Sequence, residues 1–576
     1  MNRRTIASFL LLACASGCHT TSLPRAGSGD AAFATLVEEI LEENYRRNPT
    51  NATYLGIHRY DAELEDFSAT AIQAGVASVR AFAVRLAALD PATLSQDARL
   101  DREFLSRQLE AQILQQELVR PWAQQPDSYS SAITNSAYIV MKRSFASPAE
   151  RLKLLIARER KMPGVLAAAR ANLVNPPAVF TQIAIEQLDG NRSFFEVDLP
   201  LAFAGVDDAA LRAQFQESNA AVLAALAGYK TWLEQELLPR SKGEFALGEK
   251  LYAQLLSATE MVDVPLEQLL ALAEADRQRN EKQFIELAQH IDPTKSAGEV
   301  LQALTADHPA PGELLATTQG ELDSLRAFIV AHRIVTIPES APARVQETPP
   351  FQRSTTSASM DTPGPFETRA TEAFYNMTLP DPRWPAAQQE DFMRQWYRAS
   401  ITNVSVHEVY PGHYLQFLYA PQFPGSVRKV FGANTNIEGW AHYGEQLMLD
   451  EGFHAGEPQY RLAQLQDALL RDVRFAVGIR MHTRGMTLEQ AEQLFETQGH
   501  QPAPVALSEA KRGASDALYG YYTMGKLAIQ KLRADCAQQR GAAFRMQEFH
   551  DSFIKLGPLP LPLIREKMLG ARGEFF

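Results

Sequence analysis

The sequence predicts a mainly α-helical protein, one large domain in two lobes. Apolar residues recur at three- and four-residue spacing through most of the 576-residue chain, the signature of amphipathic helices. Strand-like runs are few. Composition is ordinary for a globular chain, with 45% hydrophobic and 22% charged residues, enough to build a large core without covalent help.

The first residues, MNRRTIASFLLLACASGC, place two arginines before a short apolar run. That is the shape of an export signal, too short to remain as a spanning helix. Ala15-Ser16-Gly17-Cys18 resembles a bacterial lipobox, which makes residues 1–17 a lipoprotein signal peptide and Cys18 the acylated mature terminus. Cys14 is the rival, with bulky Leu12 two places before it, and a plain signal peptide with release to the periplasm is the alternative. Residues 18–30 read as a polar tether. Only Cys536 remains in the body, so no internal disulfide is expected. No later segment has the roughly 18 uninterrupted apolar residues of a membrane span. Membrane contact is thus expected only through the N-terminal lipid.

From residue 31 the helical pattern runs on through FATLVEEILEENYRR, VASVRAFAVRLAALD, LDREFLSRQLEAQIL and AERLKLLIARERKM, then through the long segments that start near 211 and 265. This defines a first lobe of about 31–336. The second lobe, about 337–576, opens with a Pro-, Ser- and Thr-rich stretch from 337 to 390, read as a long irregular segment that links lobes or lines a cleft. RIVTI near 333 and AFYNMTL near 373 are the clearest strand candidates. Helices resume from Ala387. The net charge of -12 argues against nucleic acid as a partner.

Six of the twelve histidines fall between 407 and 500. Residues 407–416 read HEVYPGHYLQ. A zinc helix of the H-E-x-x-H type puts its histidines four residues apart, on one face. Here they are six apart, which on a regular helix turns them about 120° from each other. Proline lacks an N–H and collides with the carbonyl four residues back, and glycine tolerates unusual backbone angles. A kink or two-residue bulge at Pro411-Gly412 would swing His413 back beside His407. Glu408 is placed to act as general base.

A catalytic zinc takes three protein ligands and keeps one open position. The third is expected from NTNIEGWAHYGEQLMLDEG, where Glu438 and Glu445 are seven residues apart on one face. Glu438 is the candidate ligand and Glu445 the carboxylate that orients a ligand histidine. His442 is the rival ligand. Tyr522, with Tyr519 and Tyr521 beside it, and His482, with Arg474 nearby, are candidate donors to a developing oxyanion. The plainer alternative is a surface His-Glu pair, with His442, His482 and Tyr522 packed as core residues.

At these residues the chain resembles the bacterial family called domain of unknown function 885, many of whose members look like lipoproteins. The likeness rests on HEVYPGHYLQ, on IEGWAHYGEQL, on the R-x-x-R and H-T segment at 471–483, on Tyr522 to Gly525, and more softly on NPTNATYLGIHRYDAELEDFS. Gly478 stands where many relatives carry Asp. More distantly the chain is similar to helical zinc peptidases such as the carboxypeptidase Taq family. That resemblance implies a zincin-like helical fold with a deep central cleft, His407, His413 and Glu438 as zinc ligands, and Glu408 as base. The expectation is a zinc-dependent peptidase in the cell envelope, facing the periplasm and acting on peptides. The alternatives are a non-catalytic peptide-binding lipoprotein on the same fold, or an amidase acting on cell-wall fragments.

Overall fold

The computed structural model describes residues 27–576 apart from 340, 341, 350–352, 354 and 355. The expected signal peptide, Cys18 and most of the tether lie outside the described residues.

Amphipathic patterning places the helices. The first, Asp30–Arg47, buries Phe33, Leu36, Val37, Ile40, Leu41 and Tyr45, a stripe at helical spacing. Starts are marked by side chains that satisfy free amides. Ser147 and Glu150 form a capping box on helix Pro148–Glu159, and Thr487 with Gln490 does the same for Leu488–Thr497.

The largest core runs across the proposed lobe boundary. Residues of the first helix share it with Leu325 and Ile329, and with Trp440, Leu447 and Ile564 from the C-terminal half. A division at 336/337 therefore does not separate two cores. Residues 129–237 do make a core of their own, joined by Ala370. Cys536 is buried and free.

The stretch from 337 to 390 is more ordered than its composition suggests. It contains the three strands found among the described residues: β1 (Arg344–Glu347), β2 (Ala358–Asp361) and β3 (Phe374–Met377). β3 is central, parallel to β1 and antiparallel to β2. AFYNMTL thus supplies a strand as expected. RIVTI does not: Arg333 closes helix Leu314–His332 in a left-handed conformation, and Ile334 and Val335 plug into the core without a ladder partner. Arg143 fixes the sheet to the first half of the chain by donating to Asp361 and to the carbonyls of Glu372 and Thr362.

Six helices of the second half surround the histidine cluster: α1 (Arg398–Glu408), α2 (His413–Leu418), α3 (Asn434–Asp450), α4 (Pro458–Thr483), α5 (Ala503–Ser515) and α6 (Tyr521–Arg540). α3 and α6 cross at two glycines. A Cβ on Gly439 would lie 2.4 Å from the Gly525 Cα, and one on Gly525 would lie 1.9 Å from the Thr435 carbonyl oxygen. Only hydrogen fits at either position, which sets the level at which Tyr522 passes Glu438.

Candidate metal centre

The turn between α1 and α2 solves the spacing problem differently from a bulge inside one helix. α1 stops at Glu408, α2 starts at His413, and the Tyr410–Pro411 peptide is cis. Across the gap the hydrogen bonds lengthen their reach. The Gly412 amide donates to the Val406 carbonyl at 3.0 Å, and the Leu415 amide donates to the Val409 carbonyl at 3.2 Å. Each spans six residues where a helix spans four. Two extra residues are thereby absorbed, and His413 returns to the side of His407. Gly412 is required here because a Cβ would lie 1.7 Å from the His407 carbonyl oxygen. The Pro411 carbonyl accepts from Trp440 Nε1 at 2.7 Å, which pins the turn to α3.

Glu438 comes from one turn inside α3. The start of that helix is capped from afar by the buried Glu260 carboxylate, which accepts from the Asn434 amide at 3.2 Å and from the Thr435 amide and hydroxyl at 2.8 and 2.7 Å. An anion at a helix N-terminus is favourable. Burial raises the Glu260 pKa and those donors oppose it.

His407, His413 and Glu438 converge, with ligand atoms within 4.8 Å of one another. Glu438 Oε2 lies 3.4 Å from His407 Nε2 and 3.4 Å from His413 Nε2, yet it has no hydrogen bond and is shut off from solvent. Ligand atoms around a tetrahedral zinc, with bonds of about 2.0–2.1 Å, stand about 3.3–3.4 Å apart. Two imidazole nitrogens and a carboxylate oxygen are also a donor set that zinc accepts. The residues fit the ion.

Glu445, two turns along α3, holds the centre from behind. Its Oε1 lies 2.7 Å from His407 Nδ1, so that nitrogen is assigned the proton and Nε2 keeps its lone pair for the centre. The same carboxylate meets His442 Nδ1 at 3.2 Å, Asn403 Nδ2 at 3.3 Å and Arg471 Nη2 at 3.0 Å. Burial alone would raise its pKa, but Arg471, then His442 and His407, hold it well below the usual carboxylate range. Glu438 is likewise held low against burial by His413 and His407. In the zinc-free protein burial pushes the His407 imidazole down, and Glu438 and Glu445 outweigh it, lifting the pKa to about 9, so a metal binding at Nε2 displaces a proton there. His442, the rival ligand, serves Glu445 and does not join the group.

Glu408 ends α1, and its Oε2 accepts from the Met360 amide of β2 at 3.0 Å. The Tyr522 ring lies 6.2 Å from that of His407, and its hydroxyl accepts from Arg512 Nη2 at 3.3 Å. Guanidinium groups of Arg471 and Arg474 sit over the Tyr522 ring at 5.6 and 5.2 Å. Arg474 is itself bound in a two-pronged pair to Glu509 of α5, both contacts 2.7 Å. Tyr521 turns its hydroxyl to Asp516 at 3.1 Å, and Tyr519 is buried in the core.

His482 is not part of the centre. It lies on α4 eleven residues beyond Arg471, about 16 Å along the helix. There its Nε2 donates to the Gly513 carbonyl at 2.9 Å, and its ring packs against Phe245 and Tyr252. It lines a separate pocket of about 560 Å³. Gly478, on the same helix, faces the Ala517 carbonyl so closely that a Cβ would lie 2.9 Å from it. An acidic side chain would need that loop to move.

Sequence reasoning missed Arg512, Asn403, Glu260 and the Met360 amide. Arg512 has a local trace in KRGASDALYGYY, a basic residue one helix before the tyrosines. Asn403 lies one turn before His407 on the same face of α1, and Glu260 and the Met360 amide meet the centre only through long-range packing.

A family model described as "Bacterial protein of unknown function (DUF885)" matches residues 49–568. Solved structures that share the fold include two described as lipoproteins. One is a "putative lipoprotein of unknown function" from Shewanella oneidensis, 25% identical, covering 93% of this chain and 99% of its own, with a TM-score of 0.78. The other is a "putative lipoprotein" from Colwellia psychrerythraea, 18% identical, covering 94% of this chain and 99% of its own, with a TM-score of 0.81. No curated protein matches.

Proposed function

We propose, for a chain that belongs to the DUF885 family of bacterial proteins, that it is a zinc-dependent peptidase of the cell envelope. One observation carries the reading. The buried Glu438 Oε2 atom lies 3.4 Å from each of two imidazole nitrogens, the spacing of ligand atoms around one tetrahedral zinc.

Bound by His407, His413 and Glu438, zinc would supply a Lewis acid for a scissile carbonyl and make water acidic enough to ionise near neutral pH. The Glu408 carboxylate takes the proton from the attacking water and returns it to the leaving amine. The Met360 amide holds one of its oxygens and so orients the other. Tyr522 donates its O–H to the developing oxyanion, while Arg512 donates to the phenol oxygen and keeps that hydroxyl pointed outward. Glu445 fixes the ring of His407 throughout. Peptides as substrates fit an acidic, exported chain with this hydrolytic set. Its lipoprotein-like N-terminus and the lipoprotein descriptions of two structural relatives support attachment to the membrane through Cys18, facing the periplasm.

The test is metal analysis joined to turnover. The purified chain should carry one zinc, and His413→Ala should lose it. Glu408→Gln should keep zinc and lose hydrolysis of a mixed peptide substrate by about 10²–10⁴-fold. Full activity in Glu408→Gln, or no zinc retained by the unaltered chain, would overturn the reading.

A further inference from the structure

A second cavity, of about 1050 Å³, lies mainly in the first half of the chain, and no residue of the metal centre lines it. Its walls come from helices Asp30–Arg47, Ala69–Ala87 and Gln96–Leu114 and from the short helix Pro121–Gln124, and Phe431 reaches it from the second half. Charged residues line it, but all are engaged with partners. Arg46 and Arg47 donate to Glu43, and Arg59 pairs with Glu42. Glu65 accepts from the Thr50 amide and hydroxyl, both at 2.9 Å, Glu63 accepts from Lys161 at 2.6 Å, and Asp66 accepts from the Ser68 amide at 2.8 Å. The cavity therefore holds no unmatched charge that would select an anion or a cation. What it leaves open are amides and rings. Among the described residues, no hydrogen bond reaches the side-chain amides of Asn51, Gln112 or Gln116. The Trp122 indole N–H is already donated to the Gln116 carbonyl at 2.9 Å, so its ring offers the cavity apolar surface. Phe67, tilted against Tyr129 at 5.2 Å, offers the same.

We propose that this cavity binds a neutral saccharide chain, its rings laid against Trp122 and its hydroxyls met by Asn51, Gln112 and Gln116. A pyranose ring has an apolar C–H face and a rim of hydroxyls, each both donor and acceptor. A side-chain amide carries both functions, so one residue answers either sense of hydrogen bond, and an aromatic ring covers the C–H face. Free amides beside rings, with every charge matched, are complementary to that ligand and to no ion. A peptide main chain binds best along an open strand edge, and none of β1, β2 and β3 lines this cavity. The volume stands at the top of the range of about 300–1,000 Å³ that suits small ligands, which leaves room for more than one ring. The proposal is independent of the peptidase reading, because no group of the metal centre takes part in it.

The purified protein is titrated in a calorimeter with two neutral probes, an N-acetylglucosamine tetramer and a glucose tetramer (maltotetraose). At least one should bind at a single site with a Kd below about 1 mM, and the preferred one tells whether acetamido groups or hydroxyls alone are read. Trp122→Ala should lower that affinity at least about tenfold by removing the ring platform. Asn51→Ala and Gln116→Ala should each lower it about three- to tenfold, the effect of one hydrogen bond. Both residues are exposed and make no side-chain hydrogen bond among the described residues, so these two variants fold as the unaltered chain does. His413→Ala, which lacks zinc on the reading above, should bind the sugar unchanged. Three results would overturn the proposal: no binding of either tetramer, an affinity that the Asn51 and Gln116 variants leave within about twofold, or loss of sugar binding in His413→Ala. A capped neutral tetrapeptide that binds as tightly as the better sugar would also overturn it, by making the cavity a peptide site.

Discussion

Two buried histidine settings lie at two levels of the same helix α4, and they are built from nearly the same parts. At the Arg471 level, His407 packs near the rings of Tyr522 and His413, is hydrogen-bonded to Glu445 and faces the Glu438 carboxylate at 3.4 Å. At the far end, His482 packs against Phe245 and Tyr252 but is bonded to a backbone carbonyl. Burial lowers the pKa of both. At His407 two carboxylates overturn that effect and lift it to about 9. At His482 the carbonyls of Gly513 and Phe245 only soften it, and the pKa stays lowered. The partner, not the burial, decides the role. A carbonyl satisfies an imidazole, whereas a carboxylate polarises it toward a cation.

The difference is broken most completely at Gly412. Gly412→Ala puts a methyl group 1.7 Å from the His407 carbonyl oxygen. The turn must open, and His413 leaves the centre. Zinc affinity should fall by at least about 100-fold, as expected when a ligand is lost from a three-residue set. Competition with a chromophoric chelator measures this, and an unchanged affinity would mean that the wide turn does not set the position of His413. Glu445→Gln is the next step down. It leaves all three ligands in place but removes the charge behind His407 Nδ1. Zinc affinity should fall about 10–100-fold, with chain folding checked by circular dichroism.

How much of this could be read in advance depends on whether a contact is local. His407, Glu408 and His413 lie in seven consecutive residues, so the ligand pair was legible from HEVYPGH. Glu438 and Glu445 share a helix, and their spacing of seven fixed a common face. The form of the turn was not legible. A two-residue insertion is compatible with a bulge or with a broken helix, and only the packing of Gly412 against two carbonyls, with Pro411 tied to Trp440, selects the break. His482 was misplaced for an instructive reason. It was grouped with Arg474 because the two share one helical segment, and membership of a segment does not tell the level at which another helix crosses it; His482 lies eleven residues beyond Arg471, about three turns further along α4. Met360 was hidden because a four-residue strand in a Pro- and Ser-rich stretch carries almost no pattern of its own, and its register comes from β3.

The smallest expected effect sharpens the comparison from the other side. His482→Gln keeps a donor that can reach the Gly513 carbonyl, so zinc affinity should stay within about twofold, while the loss of ring packing against Phe245 and Tyr252 should lower stability at pH 8 by about 1 kcal/mol. Its signature lies in pH. Burial lowers the folded-state pKa of His482 below its unfolded value. As pH falls through about 6.5, the unfolded chain takes up a proton that the folded chain refuses, and the native protein loses stability. Glutamine has no such proton. The gap between His482→Gln and the unaltered chain, measured by urea unfolding of the zinc-free protein, should therefore be widest at pH 8 and should narrow toward pH 5. A gap that widens on acidification would mean that His482 is stabilised by its charge, as a carboxylate-bound imidazole would be, and the two ends of α4 would no longer differ in kind.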